Sequence, residues 1–183
     1  KRVRAYLLAH PEVLAEVSQK LQEKQQSQAA ASARIAILKH RAALERDPRD
    51  FVANPNGRYT IVQFSDYRCS FCKLAAPEVL KMIEENPDTR FVFKEFPIFG
   101  EVSDTAARVA VTDLGKKNGL ALYRDLMSEK ALNEAALDRH LQAVGIDPAA
   151  ARRAARGADV DKHIADNRAL AHALNIEGTP AFL

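Results

Sequence analysis

Cysteine is scarce in this chain: two residues in 183, Cys69 and Cys72, three positions apart. A structural zinc site takes about four ligands, and no second CxxC supplies the other two. The five histidines, His10, His40, His140, His163 and His172, are scattered and form no close pair. Methionine is also sparse, at 2 residues, and no Met-rich or His-rich tract reinforces metal handling. No uninterrupted apolar run approaches the roughly 18 residues that a membrane-spanning helix requires. Charge of neither sign is gathered into a block: 27 Lys and Arg stand against 24 Asp and Glu, and the net +3 is spread along the sequence. No nucleic acid is therefore expected as a partner. The apolar content of 47% is that of a globular protein, and the length suits one catalytic domain with an appendage. Lys1 to Arg4, followed by only a short apolar patch, lacks the shape of a signal peptide. An exported protein of this sequence is expected to have had its signal removed.

Glycine and proline are absent from residues 12–46, which are rich in Ala, Gln, Glu, Lys and Leu. That composition predicts helix, with Pro11 as a plausible first-turn residue. Leu14, Val17 and Leu21, then Ala31, Ile35, Leu38 and Ala42, recur in steps of three and four, while Gln22 to Ser32 is wholly polar or small and reads either as a solvated helix or as a flexible connector. A narrow apolar stripe cannot bury itself. It folds back on the catalytic domain or meets copies of itself, and its coiled-coil spacing favours self-association.

Asp47-Pro48 and Asn54-Pro55-Asn56-Gly57 are breaker clusters that place the start of the catalytic domain near residue 48. Tyr59 to Phe64 then reads as a buried strand, and the cysteine pair follows directly. From Cys72 to about Glu85 the spacing is helical, with a kink expected at Pro77, and Arg90 to Phe96 is a second strand. A parallel pair with a helical crossover is the economical arrangement. Helices are predicted over about 102–114, 120–129, 133–143, 148–156 and 159–174, and strand character returns only at Thr179 to Leu183. The predicted organisation is an N-terminal helical region and linker over 1–47, a first catalytic part over 48–101, an inserted helical domain over 102–174, and a second catalytic part over 175–183.

A CxxC at a strand-to-helix junction has the makings of disulfide exchange: one thiolate attacks and a second thiol resolves the mixed disulfide. Cys69, at the end of the helix where backbone N–H groups are free, is expected to ionise below the ordinary thiol value of about 8.5, with Cys72 one turn inside and less exposed. Ser70 is a candidate donor toward the sulfur, and with Phe71 tunes the balance. The bland alternative is an inert disulfide or a pair of buried thiols. Gly178-Thr179-Pro180 opens the last strand-like segment. A cis Pro180 facing the cysteines would leave the Thr179 backbone free to pair with an extended peptide, whereas an ordinary trans proline is the alternative. Asp66 and Glu95 are candidates to assist proton transfer at Cys72, although a solvated surface carboxylate is the commoner case for each. His163 and His172 are more often surface or core residues than ligands.

Phe64-Ser65-Asp66-Tyr67-Arg68-Cys69-Ser70-Phe71-Cys72-Lys73, Phe93-Lys94-Glu95-Phe96-Pro97 and Gly178-Thr179-Pro180-Ala181-Phe182, in that order, resemble the DsbA-type proteins. The resemblance runs from about residue 58 to the end. It implies an α/β thioredoxin-like fold with an inserted helical domain, Cys69, Cys72, Thr179 and Pro180 as the site, and a redox-active disulfide with no other cofactor. Tyr6-Leu7-Leu8 and His10-Pro11-Glu12-Val13-Leu14 resemble the ScsC, or suppressor of copper sensitivity, group. That likeness implies a periplasmic protein with an N-terminal helical oligomerisation extension, trimeric through residues 1–46. It also implies a disulfide isomerase or reductase acting on unfolded or misdisulfided proteins, with a membrane redox partner of the DsbD or ScsB type. Thr179 before Pro180 is similar to the isomerases, where the monomeric oxidases usually carry Val. Ser70 departs from the Pro often found there, and Leu183 stops short of the last strand and helix that the family fold implies, so a shortened chain is expected. Two other functions compete: a monomeric DsbA-like dithiol oxidase, and a Cu(I)-binding protein using Cys69 and Cys72 as soft ligands.

Overall fold

The structure, a computed structural model, describes residues 2–183. It divides into two compact units, one ending at Lys39 and one running from His40 to Leu183.

The first unit is helical: α1 spans Arg2–Ala9 and α2 spans Glu12–Lys39. At their junction the His10 N–H still donates to the Tyr6 carbonyl at 2.8 Å. Helix α2 continues unbroken through Gln22 to Ser32, so this stretch is a helix and not a connector. The Ala, Gln, Glu and Lys residues there are good helix formers that lose little on ordering. No residue of α1 or α2 is buried. Leu8, Leu14, Val17, Leu21, Ile35 and Leu38 are all more than half exposed.

The second unit begins earlier than the breaker residues predict. The helix ends at Lys39, and a separate short helix, α3 (Arg41–Glu45), follows. Leu44 of α3 is 2% exposed, and the Ala43 carbonyl accepts a 2.6 Å hydrogen bond from Lys94 Nζ. Residues 40–47 therefore belong with the catalytic unit, because α3 buries an apolar side chain there.

Strand β1 (Phe51–Ala53), β2 (Tyr59–Ser65), β3 (Thr89–Glu95) and β4 (Ala181–Phe182) form one sheet in the order β1-β3-β2-β4. Strands β2 and β3 are parallel with Val62 opposite Val92 and Ser65 opposite Glu95, joined by α4 (Ser70–Glu85), as the sequence predicts. Strands β1 and β4 pair antiparallel to β3 and β2. The sequence reading misses β1, whose three residues are too few to show a period. Helix α4 runs through Pro77 without interruption.

Between β3 and β4 lie α5 (Glu101–Val111), α6 (Asp113–Lys117), α7 (Gly119–Ser128), α8 (Glu134–Ala143), α9 (Pro148–Ala154) and α10 (Ala158–Ala173). The predicted 102–114 helix is divided at Thr112, whose hydroxyl accepts from the Gly115 N–H and donates to the Val109 carbonyl. This is N-capping, which starts a new helix and ends the old one. Gly115 permits the fold-back: a Cβ there would stand 2.2 Å from the Val109 carbonyl oxygen.

Alternation along β3 sends Phe91, Phe93 and Glu95 to one face of the sheet and Val92 and Lys94 to the other. The first face packs with Tyr67, Cys72, Val79, Leu122, Tyr123 and Leu126 in the main core. On the other, Lys94 Nζ lies 2.5 Å from Asp50 Oδ2, with side-chain exposures of 1% and 0%, and His163 Nε2 lies 3.0 Å from Asp50 Oδ1. The Asp50 oxygens do not meet hydrogen-bond geometry, so the contact is an ion pair in a dry setting. Breaking such a pair leaves an uncompensated buried charge. Lys94→Met should lower unfolding free energy by about 3–5 kcal/mol in denaturant titration. Adding Asp50→Asn should restore part of that loss, and two independent losses would contradict the pairing.

Candidate active site

Strand β2 delivers its last residue, Ser65, to a short loop, and Cys69 is the N-cap of α4 with φ −70° and ψ 119°. The Cys72 N–H donates to Cys69 Sγ at 3.3 Å. The first sulfur thus sits where unsatisfied helix N–H groups point, a position that favours negative charge. Cys69 is 3% exposed and Cys72 0%, and Cys69 is flanked by the exposed Arg68, Ser70 and Phe71. Both cysteines are free thiols. Burial pushes the Cys72 thiol up to about 12.

Across the site, the Cys69 thiol donates to the Thr179 carbonyl at 3.2 Å. The Thr179-Pro180 peptide is cis, and β4 pairing begins only at Ala181. The Thr179 hydroxyl lies against the Cys72 sulfur, opposing the rise that burial causes, but short of full hydrogen-bond geometry. Residues 110 positions apart thereby meet at the two sulfurs.

Both candidate carboxylates are buried, contrary to the surface setting that is commoner for such residues. Asp66 is 1% exposed. One oxygen accepts from the Arg68 N–H at 2.6 Å and Ser103 Oγ at 2.7 Å, the other from the Ile98 and Phe99 N–H groups at 2.7 and 3.0 Å. Asp66 therefore joins the loop before Cys69 to the segment after β3. Glu95, 4% exposed, accepts a 2.7 Å hydrogen bond from Tyr67 Oη on Oε1. Burial pushes its carboxyl up to about 8, against the Tyr67 bond and with the Asp66 and Asp50 charges adding to the rise.

Ser70 is exposed and makes no hydrogen bond to Cys69 among the described residues. His163 is buried against Asp50, and His172 is exposed on α10; neither is found among the contacts of the cysteines. Sequence reasoning missed Tyr67, Tyr123, Gln63 and Lys73. Tyr123 Oη donates to Gln63 Oε1 at 3.3 Å, and Lys73 Nζ donates to the Glu129 carbonyl at the C-cap of α7. Gln63 and Ser65 alternate within the otherwise apolar β2, a legible sign of buried polar side chains on one face; Tyr67, in the loop beyond the strand, and Tyr123 carry no such sign.

A strand-to-helix CxxC facing a cis-proline loop, within a sheet interrupted by a helical insertion, defines a thioredoxin-like thiol–disulfide exchange site. The sequence matches the DSBA-like thioredoxin domain over residues 60–183, and the copper resistance protein ScsC N-terminal domain over residues 1–28. The chain belongs to the DsbA-like thioredoxin family of thiol–disulfide oxidoreductases and carries an ScsC-type N-terminal segment. Among solved structures it is similar to BcfH of Salmonella enterica Typhimurium, with 35% identity over 98% of this chain and 79% of that one and a TM-score of 0.83. A thioredoxin-like oxidoreductase from Silicibacter pomeroyi DSS-3 is 37% identical over 78% of this chain and 84% of its own, with a TM-score of 0.74. Proteus mirabilis ScsC in a compact conformation is 28% identical over 99% and 91%, with a TM-score of 0.73. Comparison with curated proteins gave no match.

The Glu95 carboxyl titrates higher in the folded protein than the ordinary 4.5. The unfolded chain thus releases this proton first, and the contribution to stability is full below about 4.5 and lost as pH rises through about 8. Glu95→Gln should therefore gain on the wild type as pH rises across that window, in denaturant titrations of the reduced protein. A difference independent of pH would contradict the raised value.

Proposed function

We propose that the chain is an oligomeric protein disulfide isomerase or reductase acting on exported proteins in the periplasm, with Cys69 as attacking thiolate and Cys72 as resolving thiol. Cys69 Sγ attacks a substrate disulfide, one S–S bond breaks, a mixed disulfide forms, and the released substrate sulfur takes up a proton. A second substrate thiol then displaces Cys69, giving isomerisation, or Cys72 does so, giving reduction. Thr179 presents backbone to an extended substrate beside the sulfur, in the manner of strand addition. No cofactor beyond the redox-active cysteine pair takes part, and a membrane reductase of the DsbD or ScsB type returns the pair to the dithiol.

The observation that carries the oligomeric reading is the apolar stripe of α1 and α2, in which no residue is buried within the chain. A stripe of Leu14, Val17, Leu21, Ile35 and Leu38 at helical spacing suits association of identical helices, and the match of residues 1–28 to the ScsC N-terminal domain supports it. Joining protomers, as a trimer, lets several Cys69 thiolates engage one substrate. No helix among the described residues is long and apolar enough to cross a membrane.

Light scattering on the full chain and on a version lacking residues 1–39 should give a trimer and a monomer. Refolding of scrambled ribonuclease should be fast with the first and weak with the second, while reduction of a small disulfide persists in both. Monomers in both cases, with oxidase activity alone, would replace this reading with a DsbA-like dithiol oxidase. Stoichiometric Cu(I) uptake without reductase activity would replace it with copper binding through the Cys69–Cys72 pair.

A further inference from the structure

Cys69 is 3% exposed, so a substrate meets the residues around the sulfur before it meets the sulfur. Of the exposed residues that flank it in sequence, Ser70 is uncharged and Phe71 is apolar, which leaves Arg68 as the charged one. The carboxylates beneath are out of reach. Asp66 and Glu95 are 1% and 4% exposed, and both oxygens of Asp66 already accept hydrogen bonds. Lys73, one turn into α4, is half-buried and turned to the Glu129 carbonyl.

Ordering a long exposed side chain costs rotamer entropy, yet Arg68 is held at both ends. Its N–H donates to Asp66 Oδ1 at 2.6 Å, the Phe99 N–H donates to Asp66 Oδ2 at 3.0 Å, and Arg68 Nη1 donates to the Phe99 carbonyl at 2.8 Å. These bonds close a ring through Asp66, Phe99 and Arg68. Directly after it Gly100 turns the chain with φ +93°, a conformation that favours glycine, and a Cβ there would stand 3.7 Å from Arg68 Nη1. A guanidinium has five N–H donors, and a single nitrogen serves Phe99. Among the described residues Arg68 forms no ion pair, either with Glu101 beyond Gly100 or with Glu177 before the Thr179-Pro180 loop.

We propose that Arg68 is a specificity-determining residue of the exchange reaction: it receives a carboxylate that the substrate carries beside the disulfide under attack, so that disulfides flanked by Asp or Glu are taken in preference to neutral ones. The proposal rests on the exchange reading above and adds to it the class of substrate. A thiolate and a carboxylate repel each other, which slows attack by a free thiol on an acidic disulfide. A cation fixed beside Cys69 reverses that sign, and its planar fork can hold a carboxylate through two parallel hydrogen bonds.

The test uses the reduced full-length protein and two peptide disulfides that differ only in carrying Asp or Asn beside the cysteine. Each rate is divided by that of dithiothreitol on the same peptide. The wild type should favour the Asp peptide about tenfold at low salt, and the preference should fade as salt is added, because the guanidinium is exposed. Arg68→Gln should abolish the preference, and Arg68→Lys, which keeps a point charge without the fork, should retain part of it. Arg153→Gln, which removes the same charge from an exposed position on α9, should keep it in full. A change that merely loosens the loop or weakens the nucleophile moves both peptides together and leaves their ratio alone. The salt series on the wild type needs no variant. A wild type that treats the peptides alike, a preference that high salt leaves intact, survival of the preference in Arg68→Gln, or an equal loss in Arg153→Gln would overturn the proposal and leave the exchange reading standing. Reduction of neither peptide would overturn both.

Discussion

Four hydrogen bonds converge on the buried Asp66 carboxylate, and the placement of the cysteines depends on them. Two donors, the Ile98 and Phe99 N–H groups, belong to the segment after β3; one, Ser103 Oγ, to α5; and one, the Arg68 N–H, to the cysteine loop itself. The Asp66 carbonyl also accepts from the Cys69 N–H at 3.1 Å. A carboxylate has enough acceptor sites to satisfy four donors at once, and an ionised acceptor strengthens each bond. The loop before α4 is thereby fixed against the insertion, with the Cys72 N–H in the first turn of α4 donating to Cys69 Sγ. Arg68 Nη1 adds a further tie, donating to the Phe99 carbonyl at 2.8 Å.

From that placement follows the division of labour between the thiols. Cys69 occupies the cap, where the helix supplies unsatisfied donors and the flanking residues are exposed. Cys72 is one turn inside, against Tyr67, Tyr123 and Phe93, where burial disfavours its charged form. The same apolar packing that fills the core makes one sulfur the reagent and keeps the other in reserve. Thr179 lies beside them, its carbonyl accepting from the Cys69 thiol.

Much of this was legible in the residues because it is local. The β2-α4-β3 unit follows from a β-branched run, a CxxC and a helical spacing, and α7 to α10 fall within a residue or two of their predicted bounds. The approach of Thr179 to the cysteines is expected from the CxxC and the Gly178-Thr179-Pro180 tripeptide, with an ordinary trans proline as the alternative, and the resemblance of an ordered set of motifs to a family supports it. What escaped was set by tertiary contact. The boundary at His40 depends on Leu44 finding the core and on Lys94 reaching the Ala43 carbonyl. Asp66 and Glu95 look alike as acidic residues in sequence, yet one is saturated with donors and the other retains an unpaired oxygen. Tyr123 joins the site from a helix 51 positions beyond Cys72, as the residue numbers show. No spacing rule connects them.

The most direct test of the account is alkylation of the reduced protein with limiting iodoacetamide, followed by peptide mapping over a range of pH. The account predicts a single adduct at Cys69 through neutral pH, with Cys72 modified only on unfolding. Modification of Cys72 first, or of both cysteines at equal rates in the folded protein, would contradict the assignment of attacking and resolving thiols.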